Sequence, residues 1–140
     1  MASPQIERLQ ARMAAIPVAI RADVLPTLEK SGHELAARMK QLAETSRDSG
    51  DLIDSIAVTM GGSVTPPYSQ PGGSMPVPPL GVAVTVGDSK VRYAHLVEYG
   101  TAHAAAQPFF WPAYRLLKKR IANRVKRSIR KSTKENWGKS

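Results

Sequence analysis

The 140-residue chain contains no cysteine. That excludes a disulfide scaffold, a thiol nucleophile and any thiolate-held metal. Aromatic residues are scarce, at 6% against 42% hydrophobic residues overall, so the predicted core is aliphatic and modest. No apolar run reaches the roughly 18 residues of a membrane-spanning helix, and Met1-Ala2-Ser3-Pro4-Gln5 lacks the basic-then-apolar pattern of a secretory signal. The expectation is a chain soluble in the cytosol when made, with no membrane partner. Its length suits one domain, since domains commonly run to about 100–150 residues.

Chemical motifs are missing as well. No GxSxG, GxGxxG or Walker-type run occurs, so the common hydrolase mechanisms and nucleotide binding lack support. His33, His95 and His103 are too dispersed for a metal motif. Asp51 and Asp54 can share a helical face, but two acids alone make a weak metal site, and capping or solvation accounts for them. His95 and Glu98 are close enough to be an acid–base couple, yet a surface or interface histidine is the plainer reading. No catalytic residue, metal ligand or cofactor is predicted, and the chain is read as a non-enzyme.

Acids are nearly absent from one end. Residues 113–140 carry eleven Lys and Arg against Glu135 alone, a segment charge of +10. The whole chain is +9, so the remaining 112 residues sum to −1. The protein is a near-neutral body with a cationic end, which points to a polyanion or an acidic protein surface.

The periodicity predicts an α+β fold: N-terminal helices, a small antiparallel sheet with a long Pro/Gly-rich loop, and a long basic C-terminal helix. Ile6, Leu9, Met13 and Ile16 mark a first helix face, with Ser3 as cap and Pro4 in the first turn. Pro17 is expected to start a new helix or kink this one. Ile20, Val24, Leu28, Leu35, Met39 and Leu42 mark a second helical stretch, bent around Pro26 and Gly32 and stopped by Ser46-Arg47-Asp48-Ser49-Gly50. Asp51 to Ser55 reads as one helical turn or a strand entry. Ile56, Val58 and Met60, then Val82, Val84 and Val86, alternate as half-buried strands. Gly87-Asp88-Ser89 is a turn, and Lys90-Val91-Arg92 a short third strand. Tyr93 to Tyr99 continues that strand or winds into a helical turn that Gly100 would cap in a left-handed conformation. Residues 66–79 hold six of the eleven prolines and two glycines, and read as a long, partly polyproline loop.

A helix is predicted from Pro112, with Ala113, Leu117, Ile121, Val125 and Ile129 on its stripe and Leu116 beside it. Beyond Ser132 a polar tail, 133–140, frays, with Trp137 free to dock. The whole forms a single domain over 1–132. So thin a core is often completed by oligomerisation. The basic residues Arg115, Lys118, Lys119, Arg120, Arg124, Lys126, Arg127, Arg130 and Lys131 would face DNA or an acidic partner. With little aromatic interleaving, contact with nucleic acid would be sequence-independent. A sequence-independent nucleic-acid-binding protein is therefore the alternative reading of the chain. Phe109, Phe110 and Trp111 stand between two prolines. Three rings in a row cannot all face one small core, so at least one is expected to anchor a neighbouring subunit.

Ser49 to Ile56 before a strand, Tyr93-Ala94-His95-Leu96-Val97-Glu98-Tyr99-Gly100-Thr101, and Gln107-Pro108-Phe109-Phe110-Trp111-Pro112-Ala113 leading into a terminal helix form a recognisable set. In this the chain resembles the head–tail joining, or tail-completion, proteins of long-tailed bacteriophages, over about residues 20–130. The resemblance implies a non-enzymatic virion component of the neck, made in the host cytoplasm. It implies a ring, commonly sixfold, that completes or terminates the tail tube and joins it to the head. The implied partners are other copies of the chain, the tail tube protein, a head-side connector or stopper, and genomic DNA in the channel. Subunit contacts are expected at Glu98, Tyr99, Gly100, Phe109, Phe110 and Trp111. Contact with an adjacent ring is expected at Pro67, Tyr68, Met75 and Pro76, on a semi-rigid arm that loses little entropy on docking. The long proline-rich loop and the unusually basic end both depart from the plainest family pattern.

Overall fold

The computed structural model describes residues 4–44, 50–102 and 105–137. The expected cap Ser3, the stop at 46–49, His103 and the side chains of Leu9, Met13, Ile16 and Trp137 lie outside what is described. The elements are α1 (Pro4–Ala43), α2 (Gly50–Asp54), β1 (Ala57–Met60), β2 (Val82–Thr85), α3 (Ala94–Tyr99) and α4 (Phe110–Trp137). No described helix is long and apolar enough to cross a membrane.

The α+β architecture is as the periodicity predicts, with three corrections. First, the N-terminal half is one 40-residue helix, running through Pro17, Pro26 and Gly32 without a break. An interior proline costs a helix about 3 kcal/mol. Pro26 lies on the exposed side, where a lost backbone hydrogen bond is least damaging, while Val24 beside it is fully buried. Second, Lys90-Val91-Arg92 is not a strand, and β1 and β2 alone make the sheet. The Asp88 carboxylate accepts from the backbone N–H of both Lys90 and Val91, at 2.9 Å each, which removes the donors a third strand would need. Third, Gly100 follows α3 at φ 78° and ψ 175°, a positive φ with extended ψ rather than a left-handed helical cap.

The strands pair antiparallel, Ala57 opposite Thr85 and Met60 opposite Val82. Helix α1 lies across this ribbon. Gly32 makes that close approach possible: a Cβ there would sit 2.7 Å from Val82 Cγ2 and 3.0 Å from Val58 Cγ1. Gly32→Ala should therefore destabilise by about 1 kcal/mol, because overpacking costs about 1–3 kcal/mol and outweighs the ~1 kcal/mol of helix propensity gained. A thermal melt gives the sign directly, since propensity alone predicts a rise.

The core gathers Met39, Leu52, Phe109 and Phe110 with smaller residues such as Ala36, Ile56, Val86, Val91 and Ala113. Ser55 joins its edges: its hydroxyl donates to the Leu52 carbonyl at 2.6 Å and accepts from the Gly87 N–H at 2.9 Å.

Helix α4 runs antiparallel to α1, as paired residue numbers rise on one and fall on the other. Away from the core the seam is polar. Glu34 meets Arg124 and Arg120, Ser31 meets Arg124, Thr27 meets Ser128, and Asp23 meets Ser132. Partners recur every three or four residues on both helices, which keeps them on facing sides. Asn136 also donates to Asp23, at 3.2 Å, and the helix continues to Trp137, past the fraying point expected after Ser132. The predicted apolar stripe of α4 thins outward: Ala113 and Leu117 are buried, Ile121 and Val125 half-buried and Ile129 exposed, while Leu116 beside the stripe faces solvent.

Candidate functional site

Two surfaces stand out, one aromatic and one cationic. The first begins with how α4 starts. Its opening sequence, Gln107-Pro108-Phe109-Phe110-Trp111-Pro112, offers no Ser, Thr, Asp or Asn to cap it. The cap comes from Glu98 on α3. Glu98 Oε1 accepts from the backbone N–H of Phe109 at 2.9 Å and of Phe110 at 2.8 Å, and Oε2 accepts from that of Trp111 at 3.2 Å. The carboxylate is buried and placed at the positive end of the helix dipole. Pro112, in the first turn, has no N–H to satisfy. Both Glu98 oxygens are thus engaged with backbone donors, which leaves the His95–Glu98 pair without the free carboxylate an acid–base couple would use.

This anchoring divides the expected contact residues. Glu98, Phe109 and Phe110 are buried inside their own chain. Trp111 stays half-buried, its Nε1 donating to the Tyr99 hydroxyl at 2.7 Å. Trp111 also meets Tyr114 edge-on, with ring centroids 5.9 Å apart. Tyr99 is 68% exposed and Tyr114 43%. A shallow hollow against Pro71, Val86 and Tyr99 and an apolar groove along Leu28, Leu35, Val82 and Val84 share Pro71, Phe110 and Trp111 as common walls. The two hollows adjoin through these shared walls, from α3 past the sheet to the α1–α4 seam.

The proline-rich loop is not a projecting arm. It folds back on itself: Gly62 N–H donates to Val77 O, Val77 N–H to Ser63 O and Thr65 N–H to Met75 O. Thr65 and Ser69 are buried and their hydroxyls hydrogen-bond to the Gly73 carbonyl. The loop joins the sheet margin through Gln70 and Val86. Pro67, Tyr68, Met75 and Pro76 remain exposed at its outside. Tyr68 holds φ at 63°, unusual for a bulky residue, and the Arg92 guanidinium lies 3.7 Å from its ring centroid.

The cationic surface is the back of α4. Arg124 belongs to the seam, its guanidinium donating to Glu34 Oε2 at 2.9 Å and Ser31 Oγ at 3.2 Å. Arg120 stands 3.8 Å from Glu34. The hydrogen bond from Arg124 holds the Glu34 carboxyl below its ordinary value against the opposing effect of burial, and Arg120 and Lys30 add attraction. A depressed folded-state value stabilises above the unfolded value of 4.5, and the contribution disappears as pH falls through the lower folded one. Glu34→Gln should thus cost about 1–2 kcal/mol at neutral pH, and the gap between variant and parent melts should close below pH 4.5.

Arg115, Lys119, Lys126 and Arg130 are exposed away from the seam and Arg127 is exposed at its edge, and none of the five forms an ion pair among the described residues. Lys118 borders the apolar groove and Lys131 the seam. The sequence shows the charge run but not this partition, which depends on the register of α4 against α1. Nor does the sequence show the Glu98 cap, whose one signal is a helix start without a capping residue of its own.

The profile of a family described as "Bacteriophage HK97-gp10, putative tail-component" matches residues 7–100, about two thirds of the chain. Searches of curated proteins and of solved structures returned no match. The matched span takes in α1 to α3, the sheet and the folded loop, and stops before α4. The chain belongs to the HK97-gp10-like family of bacteriophage tail components, a structural protein of the phage tail.

Proposed function

We propose that the chain is the subunit of a sixfold ring at the phage neck, a non-enzymatic part that completes or terminates the tail tube and joins it to the head-side connector or stopper. Family membership carries the tail role. The exposed Tyr99 and Tyr114 beside the half-buried Trp111 support the ring, because aromatic residues are enriched at the cores of protein interfaces. Tyr99, Gly100 and Trp111 are the proposed subunit contacts, with Phe109 and Phe110 supporting them from beneath. The outer loop residues Pro67, Tyr68, Met75 and Pro76 are the proposed contact with the adjacent layer. Tyr68 favours this, since a bulky residue kept at positive φ costs about 1–3 kcal/mol and such strain gathers at functional sites.

Deleting the gene from the phage tests the reading. Filled heads and separate tails should accumulate, and purified chain should join them in a mixture. Normal infectious particles from the deletion would overturn it.

A further inference from the structure

We infer that the outward face of α4 binds the phosphate backbone of duplex DNA without reading its sequence. The inference does not rest on the ring. The face presents Arg115, Lys119, Lys126 and Arg130 to solvent around Asn123 and Leu116, with Arg120 and Arg127 at its margin toward the seam. Glu135, the only acid on α4, lies on the seam side with Asp23 and Ser132, a side that Arg127, among these cations, also borders. From Arg115 to Arg130 the helix rises about 22 Å, the axial length of roughly six phosphates on one strand at 3.4 Å each.

An acidic protein surface is the rival partner, and the composition of the face argues against it. Protein interfaces have apolar or aromatic centres and are poor in lysine. Here the centre is Lys119, Asn123 and Lys126, and Leu116 is at one end. Phosphate neutralisation needs only positive charge at reach, which flexible Lys and Arg supply. The stretch from Arg115 to Arg130 has no aromatic residue, so it provides no stacking platform for single-stranded bases. Duplex backbone is the polyanion that remains.

The test is fluorescence anisotropy of the full chain with two unrelated duplexes of about 30 base pairs. With four or five phosphate contacts, the log–log salt slope should be about −4, a fall of roughly 250-fold in affinity between 50 and 200 mM salt, alike for both sequences. The combined Lys119→Gln, Lys126→Gln and Arg130→Gln variant should bring the slope to between about −1 and −2 and weaken binding at least tenfold. These side chains are solvent-exposed, so circular dichroism should show an unchanged fold, and Lys90→Gln, an exposed position outside α4, should leave the slope unaltered. A parent slope shallower than about −2, a triple variant that binds like the parent, or tighter binding to a polyglutamate peptide than to DNA would each overturn the inference.

Discussion

Replacing Glu98 with alanine should lower the stability of the folded chain by about 3–4 kcal/mol. The carboxylate accepts three backbone hydrogen bonds at the start of α4. Losing an ordinary helix cap costs about 0.5–2 kcal/mol. Here the N–H groups of Phe109 and Phe110 are left inside the protein, and a buried unsatisfied donor costs about 1–3 kcal/mol more. Glu98→Gln keeps one carbonyl oxygen for the Phe109 and Phe110 donors but turns an amide toward the Trp111 N–H, so it should fall between parent and alanine. Urea unfolding of the three proteins measures this order. Equal stability of alanine variant and parent would show that the cap does not hold α4 in place.

Phe109→Ala should cost about 3–5 kcal/mol, the usual penalty for emptying a fully buried aromatic site. Phe109 is 1% exposed and is the largest of the fully buried side chains among the described residues. Its neighbours Met39, Leu52 and Ala113 come from three different helices, so relaxation at one cannot fill the space. The contrast with Tyr99→Ser matters for function. Tyr99 is largely exposed, and losing its contact with the Trp111 indole should change stability by less than about 1 kcal/mol. Phe109→Ala should thus disturb folding, and Tyr99→Ser assembly.

Those two residues also show what the sequence could tell. The alternation of Val58 and Met60 with Val82 and Val84 identified both strands, and the four-residue spacing from Ala113 to Ile129 identified α4. Local signals failed where tertiary contacts decided the outcome. Pro17 and Pro26 signalled a break, but the ladder of Asp23, Thr27, Ser31 and Glu34 against α4 and the packing of Gly32 on the sheet accompany one unbroken helix. Nothing in a one-dimensional pattern shows such a partner. The run Phe109-Phe110-Trp111 was recognisable as unusual. Its division into two core rings and one surface ring follows from the entry angle of α4, which a carboxylate eleven residues upstream helps to set. The prolines of 66–79 mark the loop. Its folded-back form depends on the hydroxyls of Thr65 and Ser69 meeting the Gly73 carbonyl, a contact that composition does not reveal.

Assembly is the central claim, and native mass spectrometry of the purified full chain addresses it most directly. The account predicts a closed species of six 15.2 kDa subunits, about 91 kDa, which Tyr99→Ser converts to a folded monomer. A parent chain that stays at 15.2 kDa up to its solubility limit would contradict it.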